Sequence, residues 1–494
     1  MSERSSFIKD FVSVSLGNYG GIVLSFTLNV ILAWRLGTEQ FGRLALLIMV
    51  VQVLAGLVAN WTMTGLIQFS AQEFARTGSV AETFWARLSV IAPWLTGAGL
   101  ALAIGQEPVA SYLNVPIWGV WLVFLYFLLS SLVVTLGAVF QACQRMDRYA
   151  VALFLDKAVA VAAVLLLPAP YAEDAVLIIA CYAVSSLVVC VWAVTVLGSR
   201  ILLPVRTGRE TVVGLWKFSA PLIISTWVGL VSTQWIQYVI IKQYLPLSEI
   251  GLYSLANQVA GMVQQVTIIS SALLLPRFSM LVANRQHDEI RTMIEKLVPY
   301  GFMGFALFLS AGVLLAGTGV PLIFGSAFAG AVPPLGILLV ATMALALFNT
   351  FMPLISAYGD TWSLSRITLV SALVNLAGAL LLIPLLGING AAVATLLGHG
   401  TAAAMMLRRV QSRLGFPALR LAAMGLPVVL MVTFAGSLEG GPFYLVGVAM
   451  MVLSSIALGR AFKLFDQEAL RQLMRLDMPM FIKSGLKVLS EKTG

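Results

Sequence analysis

Apolar runs of about 20 residues, bounded by charges or by Pro and Gly turns, follow one another along almost the whole chain. A helix of about 20 apolar residues is long enough to cross the hydrocarbon core of a bilayer. We therefore predict an all-α polytopic membrane protein with 14 transmembrane helices, near residues 11–34, 43–66, 86–104, 116–140, 150–168, 174–197, 218–241, 251–275, 297–319, 330–356, 366–386, 390–407, 421–437 and 442–459.

The composition agrees with this pattern, because 60% of the 494 residues are hydrophobic and 10% are charged. A soluble fold cannot bury so much apolar surface, and no polar stretch is long enough to form a separate enzymatic domain. The three cysteines lack CxxC spacing and the two histidines lack partners at ligand spacing. The sequence predicts a transporter rather than an enzyme, with no catalytic residue, metal site or cofactor.

The net charge of +9 is a topology signal, because the basic residues lie in short loops between apolar runs. With both termini in the cytoplasm, the cations that fall on the outer side are Arg35, Arg43 and Lys242, out of 30 Lys and Arg residues. The positive-inside rule therefore predicts two cytoplasmic termini, and the charge indicates no nucleic-acid partner. Two amphipathic segments, around Ile290–Leu297 and in the tail, are expected along the inner headgroups.

A motif recurs within the chain, which indicates a duplication. Residues 35–46 resemble residues 244–256, with Gly42 and Gly251 in matching positions 209 residues apart, and residues 141–145 resemble 356–360 at a similar offset. Two copies of six spans each would enter the membrane in the same sense and be related by a pseudo-twofold axis along its normal. The expected domains are 1–198 (N-lobe), 199–216 (cytoplasmic linker), 217–410 (C-lobe), 411–459 (helices 13 and 14) and 460–494 (cytoplasmic amphipathic tail).

Two motifs resemble the polysaccharide transporter (Wzx-type) family of the multidrug/oligosaccharidyl-lipid/polysaccharide exporter superfamily. Leu36–Gly42 is similar to the LGxxxFG turn of that family. Ile383–Thr395 is similar to its junction between helices 11 and 12, and Asn375 lies where the family often has Asn. Together with the span count, these motifs identify the chain as a member over nearly its whole length.

The resemblance implies a flippase of the bacterial cytoplasmic (inner) membrane that translocates a polyprenyl-diphosphate-linked oligosaccharide for lipopolysaccharide, capsule or exopolysaccharide biosynthesis. Its partners would be the lipid-linked oligosaccharide, membrane lipids and other polysaccharide assembly proteins. The related lipid II flippases carry arginines in the middle of their early helices, whereas spans 1 and 2 here have none at that depth. The diphosphate-binding residues of that family therefore cannot be transferred to this chain.

An oligosaccharide needs a wet groove of hydrogen-bonding side chains to cross the bilayer, because each unpaired hydroxyl costs a few kcal/mol to desolvate. The candidates for this substrate groove are uncharged polar residues on the first two helices of each lobe: Asn18, Asn29, Gln52, Asn60, Thr64, Gln234, Gln237, Asn257, Gln258, Gln264 and Gln265. The alternative for each is interhelical packing by hydrogen bonds. The repeat superposes Asn29 on Gln237, which favours the groove for this pair.

Charged residues give a second set of candidates, for the diphosphate or for coupling to an ion. Asp156 and Lys157 fall inside span 5, and as neighbours about 100° apart on a helix they are expected to pair poorly with each other. Arg35, Arg43 and Lys242 are either interfacial anchors or contacts for the diphosphate at the outer mouth. Two other functions stay open: a cation-coupled multidrug exporter of the same superfamily, and a polytopic glycan polymerase or ligase.

Overall fold

The computed structural model describes residues 2–198, 205, 207–232, 234–415, 418–434, 446–447, 449–451, 453–454 and 457, and the side chains are described from Gly20 onward with short gaps. The chain is all-α in this part. The helices are α1 (Ser2–Val58), α2 (Met63–Thr77), α3 (Ala81–Leu113), α4 (Ile117–Ala142), α5 (Met146–Leu166), α6 (Ala175–Leu197), α7 (Arg209–Ser232), α8 (Gln234–Tyr244), α9 (Leu247–Ala283), α10 (His287–Thr292), α11 (Val298–Phe324), α12 (Val332–Ala357), α13 (Thr361–Leu386), α14 (Ile388–Leu414) and α15 (Leu426–Phe434).

Ten of the helical stretches in the described ranges are long and apolar enough to cross a membrane. The chain is therefore a multi-pass membrane protein, and the predicted spans from 86–104 to 390–407 each overlap one of these helices, except for 251–275, which lies in α9. Predicted span 14 (442–459) and the tail (460–494) lie wholly or mostly outside the described residues. Span 13 corresponds to a 3-10 segment, Ala418–Gly425, followed by α15.

Predicted spans 1 and 2 join in the long helix α1, which is kinked at Gly37. This residue has φ 63° and ψ −177°, a backbone conformation that side chains with a Cβ rarely adopt. The LGxxxFG motif is thus a structural motif, because its first glycine provides the bend between two helical arms.

The second helix extends further than the sequence predicts. It is interrupted after Val58 by a 3-10 turn, Asn60–Thr62, and then continues as α2 to Thr77, where Gly78 ends it in the left-handed conformation. The prediction of an end at residue 66 was wrong. Residues 68–76 are polar on one side only, so the loss of continuous hydrophobicity there reflects an exposed helical face rather than a loop.

The chain forms two compact units, Met1–Ser254 and Leu255–Gly494. In the first unit, aromatic and aliphatic side chains of α3, α4 and α6 form a core that includes Phe84, Val139, Phe140 and Leu197. Helix α3 is capped by a carboxylate from α2, since Glu73 accepts hydrogen bonds from the backbone N–H of Glu82 (3.0 Å) and Thr83 (2.8 Å).

In the second unit, α13 and α14 meet at the predicted helix 11–12 junction. A Cβ on Gly390 would lie 2.1 Å from the carbonyl oxygen of Leu382, so only glycine allows this close turn. Further along the same pair, Ser371 Oγ donates to the Gly398 carbonyl at 2.9 Å and Asn375 is buried. The second family motif is therefore also structural, since its small residues bring two helices into close contact.

The apolar face of the segment around Ile290–Leu297 is covered by protein, whereas the sequence predicted that headgroups would cover it. Ile290 and Ile294 are fully buried and Met293 is 7% exposed. Their apolar face packs inside the second unit, and the chain passes through a π-helical turn, Met293–Leu297, into α11. The periodicity identified a helical face correctly, but protein covers that face.

Candidate functional site

An exposed polar face runs along α2 and the turn that precedes it. Asn60, Thr64, Gln68 and Gln72 recur at intervals of four residues, and all four are exposed. Positions four apart lie on one side of a helix and about 6 Å apart along it. Residues of the other side, such as Thr62 and Leu66, are buried. At the end of a membrane span, an uncharged polar face of this kind fits contact with water or a polar ligand rather than with lipid.

The sequence predicted the first two residues of this polar face, Asn60 and Thr64, and missed Gln68 and Gln72. Gln52 and Asn60 were predicted as groove residues and both are exposed. Gln68 and Gln72 were missed because the second helix was expected to end at 66. The sequence pattern that could have found them is the recurrence of a polar residue at every fourth position from Asn60, because it continues beyond the end of the apolar run.

The paired candidates Asn29 and Gln237 occupy different environments. Asn29 is half-buried. Gln237 is 1% exposed, and its side-chain oxygen accepts a hydrogen bond from the hydroxyl of the fully buried Tyr253. The Gln237–Tyr253 hydrogen bond is what the alternative of packing by side-chain hydrogen bonds predicts. Contact of Asn29 or Gln237 with a substrate stays a prediction. The side chain of Gln234 is not among the side chains that the structure describes.

The candidates on α9 differ in their exposure, and Gln265 is exposed. Asn257 and Gln258 are half-buried. Gln264 Nε2 donates to Thr342 Oγ1 at 3.4 Å, which links α9 to α12. A second link of the same kind, from Asn349 Nδ2 to Thr267 Oγ1 at 2.8 Å, lies further along this pair of helices. Amide–hydroxyl pairs therefore connect these two helices in the second unit.

Asp156 and Lys157 pair with each other, which corrects the expectation that they would not. Lys157 Nζ lies 3.0 Å from Asp156 Oδ2, with side-chain exposures of 42% and 23%. The four-carbon stem of Lys157 lets its ammonium reach around the helix, so the 100° between the two Cβ directions does not prevent contact. Asp156 also meets α6, because Ser185 Oγ donates to its backbone carbonyl (2.5 Å) and lies 3.3 Å from Oδ1.

The three predicted outer cations all contact protein groups. Arg35 donates to the Val164 carbonyl at 2.6 Å, near the carboxyl end of α5. Arg43 lies 3.7 Å from the Glu39 carboxylate.

Lys242 lies 5.9 Å from the centre of the Tyr112 ring. Burial, together with the nearby charge of Arg43, lowers the pKa of Lys242. Arg43 and Lys242 therefore form a cationic region at one end of the first unit.

The repeated glycines Gly42 and Gly251 lie at a reciprocal helix crossing. A Cβ on Gly42 would lie 2.0 Å from the Leu247 carbonyl oxygen, and a Cβ on Gly251 would lie 2.0 Å from that of Thr38. Thr38 and Leu247 are themselves 209 residues apart, like the two glycines. Equivalent segments of the two sequence copies thus contact each other in the same way from both sides.

Many apolar helices, an exposed polar face on a helix that follows one of them and a close crossing of repeated segments define a polytopic membrane protein. Residues 7–282, more than half of the chain, match the family described as Polysaccharide biosynthesis protein. The chain belongs to this family.

A curated relative and two solved structures agree with this assignment. The succinoglycan biosynthesis transport protein ExoT of Rhizobium meliloti (strain 1021) is 28% identical over 364 residues, which cover 71% of this chain and 70% of that protein. The structure of the lipid II flippase MurJ in an inward closed conformation aligns with a TM-score of 0.72 at 11% identity, covering 94% of this chain and all of that one. The MATE transporter VcmN of Vibrio cholerae in its bent form aligns at 0.51 and 12% identity, over 85% and 99% of the two chains. The two structures show that the fold is shared.

Proposed function

We propose that this protein flips a polyprenyl-diphosphate-linked oligosaccharide across the bacterial cytoplasmic membrane for the synthesis of a surface polysaccharide. The observation that carries the proposal is the exposed polar face Asn60–Gln72 on a helix of a polysaccharide biosynthesis family member. Its amides and hydroxyls can replace water around sugar hydroxyls as they cross, which would otherwise cost a few kcal/mol for each unpaired group. The lipid tail needs no such groove, because it stays in the hydrocarbon.

Alternating access is the proposed mechanism, in a protein of 14 spans with both termini in the cytoplasm and two six-helix lobes. The reciprocal crossing at Gly42 and Gly251 supports the pseudo-twofold relation between the lobes. By the proposed orientation this crossing lies at the outer end of its helices. It would have to separate for the saccharide to leave.

The proposed diphosphate contacts are Lys157 on the inner side and the region of Arg43 and Lys242, with Arg35 nearby, on the outer side. Lys157 is 42% exposed, so its ammonium remains accessible although Asp156 partly neutralises it. Movement of a diphosphate out of a negative interior gains about 2.3 kcal/mol per charge for each 100 mV. Asp156 is the candidate for coupling to a cation or proton.

Two other functions were open from the sequence: a multidrug exporter and a glycan polymerase or ligase. The family match and the relative ExoT support a saccharide substrate over a drug. The uncharged character of the exposed face supports the same choice, because hydroxyl-rich substrates are recognised by hydrogen bonds rather than by a single charge.

A cellular experiment tests this proposal. Cells that lack the protein should accumulate the oligosaccharide-linked polyprenyl carrier on the cytoplasmic leaflet and should lack the corresponding surface polymer. Re-expression of the protein should restore both. Normal export of the polymer in the deletion strain, or accumulation of the carrier on the outer leaflet instead, would contradict the proposed step.

A further inference from the structure

A buried arginine lies beside the interruption in the second helix. Arg87, on α3, is 1% exposed. Its Nε donates to Thr62 Oγ1 at 2.8 Å, and one terminal nitrogen donates to Thr135 Oγ1 at 2.6 Å. The other terminal nitrogen donates to the Ala59 carbonyl at 3.3 Å and lies 3.1 Å from Met63 Sδ. All four partners are uncharged, and no carboxylate in the described part of the chain forms an ion pair with this guanidinium.

The carboxyl end of α1 compensates for the buried charge. Ala59 follows the last residue of α1, where carbonyl groups lack helical partners and the helix dipole is negative. The Ala59 carbonyl also accepts from Thr62 Oγ1 (2.7 Å) and from the Thr62 backbone N–H (3.2 Å). A buried cation is costly without such partners, so Arg87 and the interrupted geometry stabilise each other.

The interruption determines the direction of the polar face beyond it. A 3-10 helix turns about 120° per residue and an α-helix about 100°, so the three residues Asn60–Thr62 rotate everything after them by about 60° relative to a straight helix. In the observed register Gly65 faces α7, where a Cβ would lie 2.6 Å from Ser219 Oγ. The exposed face, with Thr64 and Gln68, lies beside that contact.

We propose that Arg87 is a positioning residue: by holding the 3-10 turn between α3 and α4, it sets the direction in which the polar face of α2 points. The consequence for transport rests on the proposed function of that face. The geometric part does not, because the direction of a helical face can be measured without a substrate.

Cysteine labelling of the purified protein tests the geometry. Cysteines are introduced one at a time at Thr64 and Gln68, and the labelling rates with a water-soluble maleimide are compared. The native Cys143, Cys181 and Cys190 are buried, so their labelling is slow and reports unfolding. In Arg87→Met the turn should relax towards a straight helix, and the Thr64/Gln68 rate ratio should fall several-fold, since Thr64 lies nearer the edge of the exposed face.

Two further variants keep the test decisive. Thr62→Val retains the buried charge but removes one acceptor, so we expect a smaller fall in the Thr64/Gln68 rate ratio. If Arg87→Met unfolds and exposes the native cysteines, the ratio measured in Thr62→Val decides the test. Arg87→Lys should give an intermediate ratio, because an ammonium cannot reach Thr62 and Thr135 with the geometry of a guanidinium. Ser70→Ala, which removes a buried α2 hydroxyl without a hydrogen-bond partner, is the matched control and should leave the ratio unchanged.

An unchanged ratio in folded Arg87→Met and Thr62→Val would overturn the positioning role. The transport assay separates this result from the proposed function. A fall in the ratio with normal glycan transport would retain the role of Arg87 in the geometry and would count against the polar face as the saccharide contact.

Discussion

Amide side chains occupy two kinds of environment in this protein, and burial distinguishes them. Gln237 is buried and accepts from Tyr253, whereas Asn60 and Gln68 are exposed on a helical face. All three look alike in the sequence, as single polar residues near apolar ones. The sequence could therefore provide the candidates, but the choice between packing and groove depends on which side of the helix meets another helix.

The first prediction concerns the buried pair. Gln237→Leu removes the acceptor of the Tyr253 hydroxyl and should destabilise the protein by about 1–3 kcal/mol. Gln237→Leu combined with Tyr253→Phe removes both partners and should recover most of that loss. Thermal unfolding of the detergent-solubilised protein measures both. Equal unfolding temperatures for wild type and Gln237→Leu would show that this contact does not stabilise the fold.

A second prediction concerns Lys157. Lys157→Ala should slow flipping at normal expression, whereas Lys157→Arg, which retains a cation near the Asp156 carboxylate, should largely preserve it. The matched control is Lys217→Ala on α7, an exposed lysine outside the proposed contacts. The readout is surface polymer per folded transporter. If Lys157→Ala and wild type export equal amounts, Lys157 has no part in the mechanism.

At the scale of elements, hydrophobic runs predicted most helices, because a membrane helix must be apolar along its length. The exceptions have physical causes. The second helix was predicted too short because its last part is apolar on one side only. The segment 290–297 was placed on the membrane surface because periodicity shows that a face is apolar but does not show what covers it. Arg87 was missed because a sequence does not show that an arginine near a helix start is buried against a helix end.

The close crossing of repeated segments gives a third prediction. Gly42→Ala places a methyl group where a carbonyl oxygen would be 2.0 Å away, and such overpacking costs about 1–3 kcal/mol. The variant should unfold at a lower temperature than wild type. Gly97→Ala is the control, because no atom lies within 4 Å of a Cβ there and alanine is the better helix former. An unfolding temperature equal to that of the wild type for Gly42→Ala would mean that the two segments are not in tight contact.

The turn between α12 and α13 is held to α14 by charge, which gives a pH dependence. Asp360 accepts from Arg409 and lies 3.3 Å from a terminal nitrogen of Arg413. The Arg409 hydrogen bond, above all, lowers the pKa of Asp360 to about 2. Because the folded pKa is below the unfolded one, this contribution to stability is present above about pH 4 and is lost as the pH falls towards about 2.

Unfolding temperatures measured across this pH range check the fourth prediction. Asp360→Asn should lower the unfolding temperature at pH 7 and should reduce its dependence on pH between 4 and 2. If the unfolding temperatures of the wild type and of Asp360→Asn fall in parallel between pH 4 and 2, Asp360 does not contribute to the pH dependence of stability.

At the scale of the whole molecule, family membership and fold agree with the features of the sequence. The LGxxxFG turn and the helix 11–12 junction were readable from sequence because both depend on glycines that no other residue can replace. The residues that contact a substrate were less readable, since they depend on which faces line a cavity. The central claim is that the protein moves a lipid-linked oligosaccharide without making or breaking a bond.

The most direct test is transport in liposomes that contain the purified protein and a fluorescent polyprenyl-diphosphate oligosaccharide. Wild type should move the lipid between leaflets faster than protein-free liposomes do and should leave it chemically unchanged. Asn60→Leu with Gln68→Leu should slow this movement, while Gln411→Leu, at an exposed glutamine outside the polar face, should not. Movement no faster than in protein-free liposomes, or elongation or cleavage of the glycan, would contradict the account.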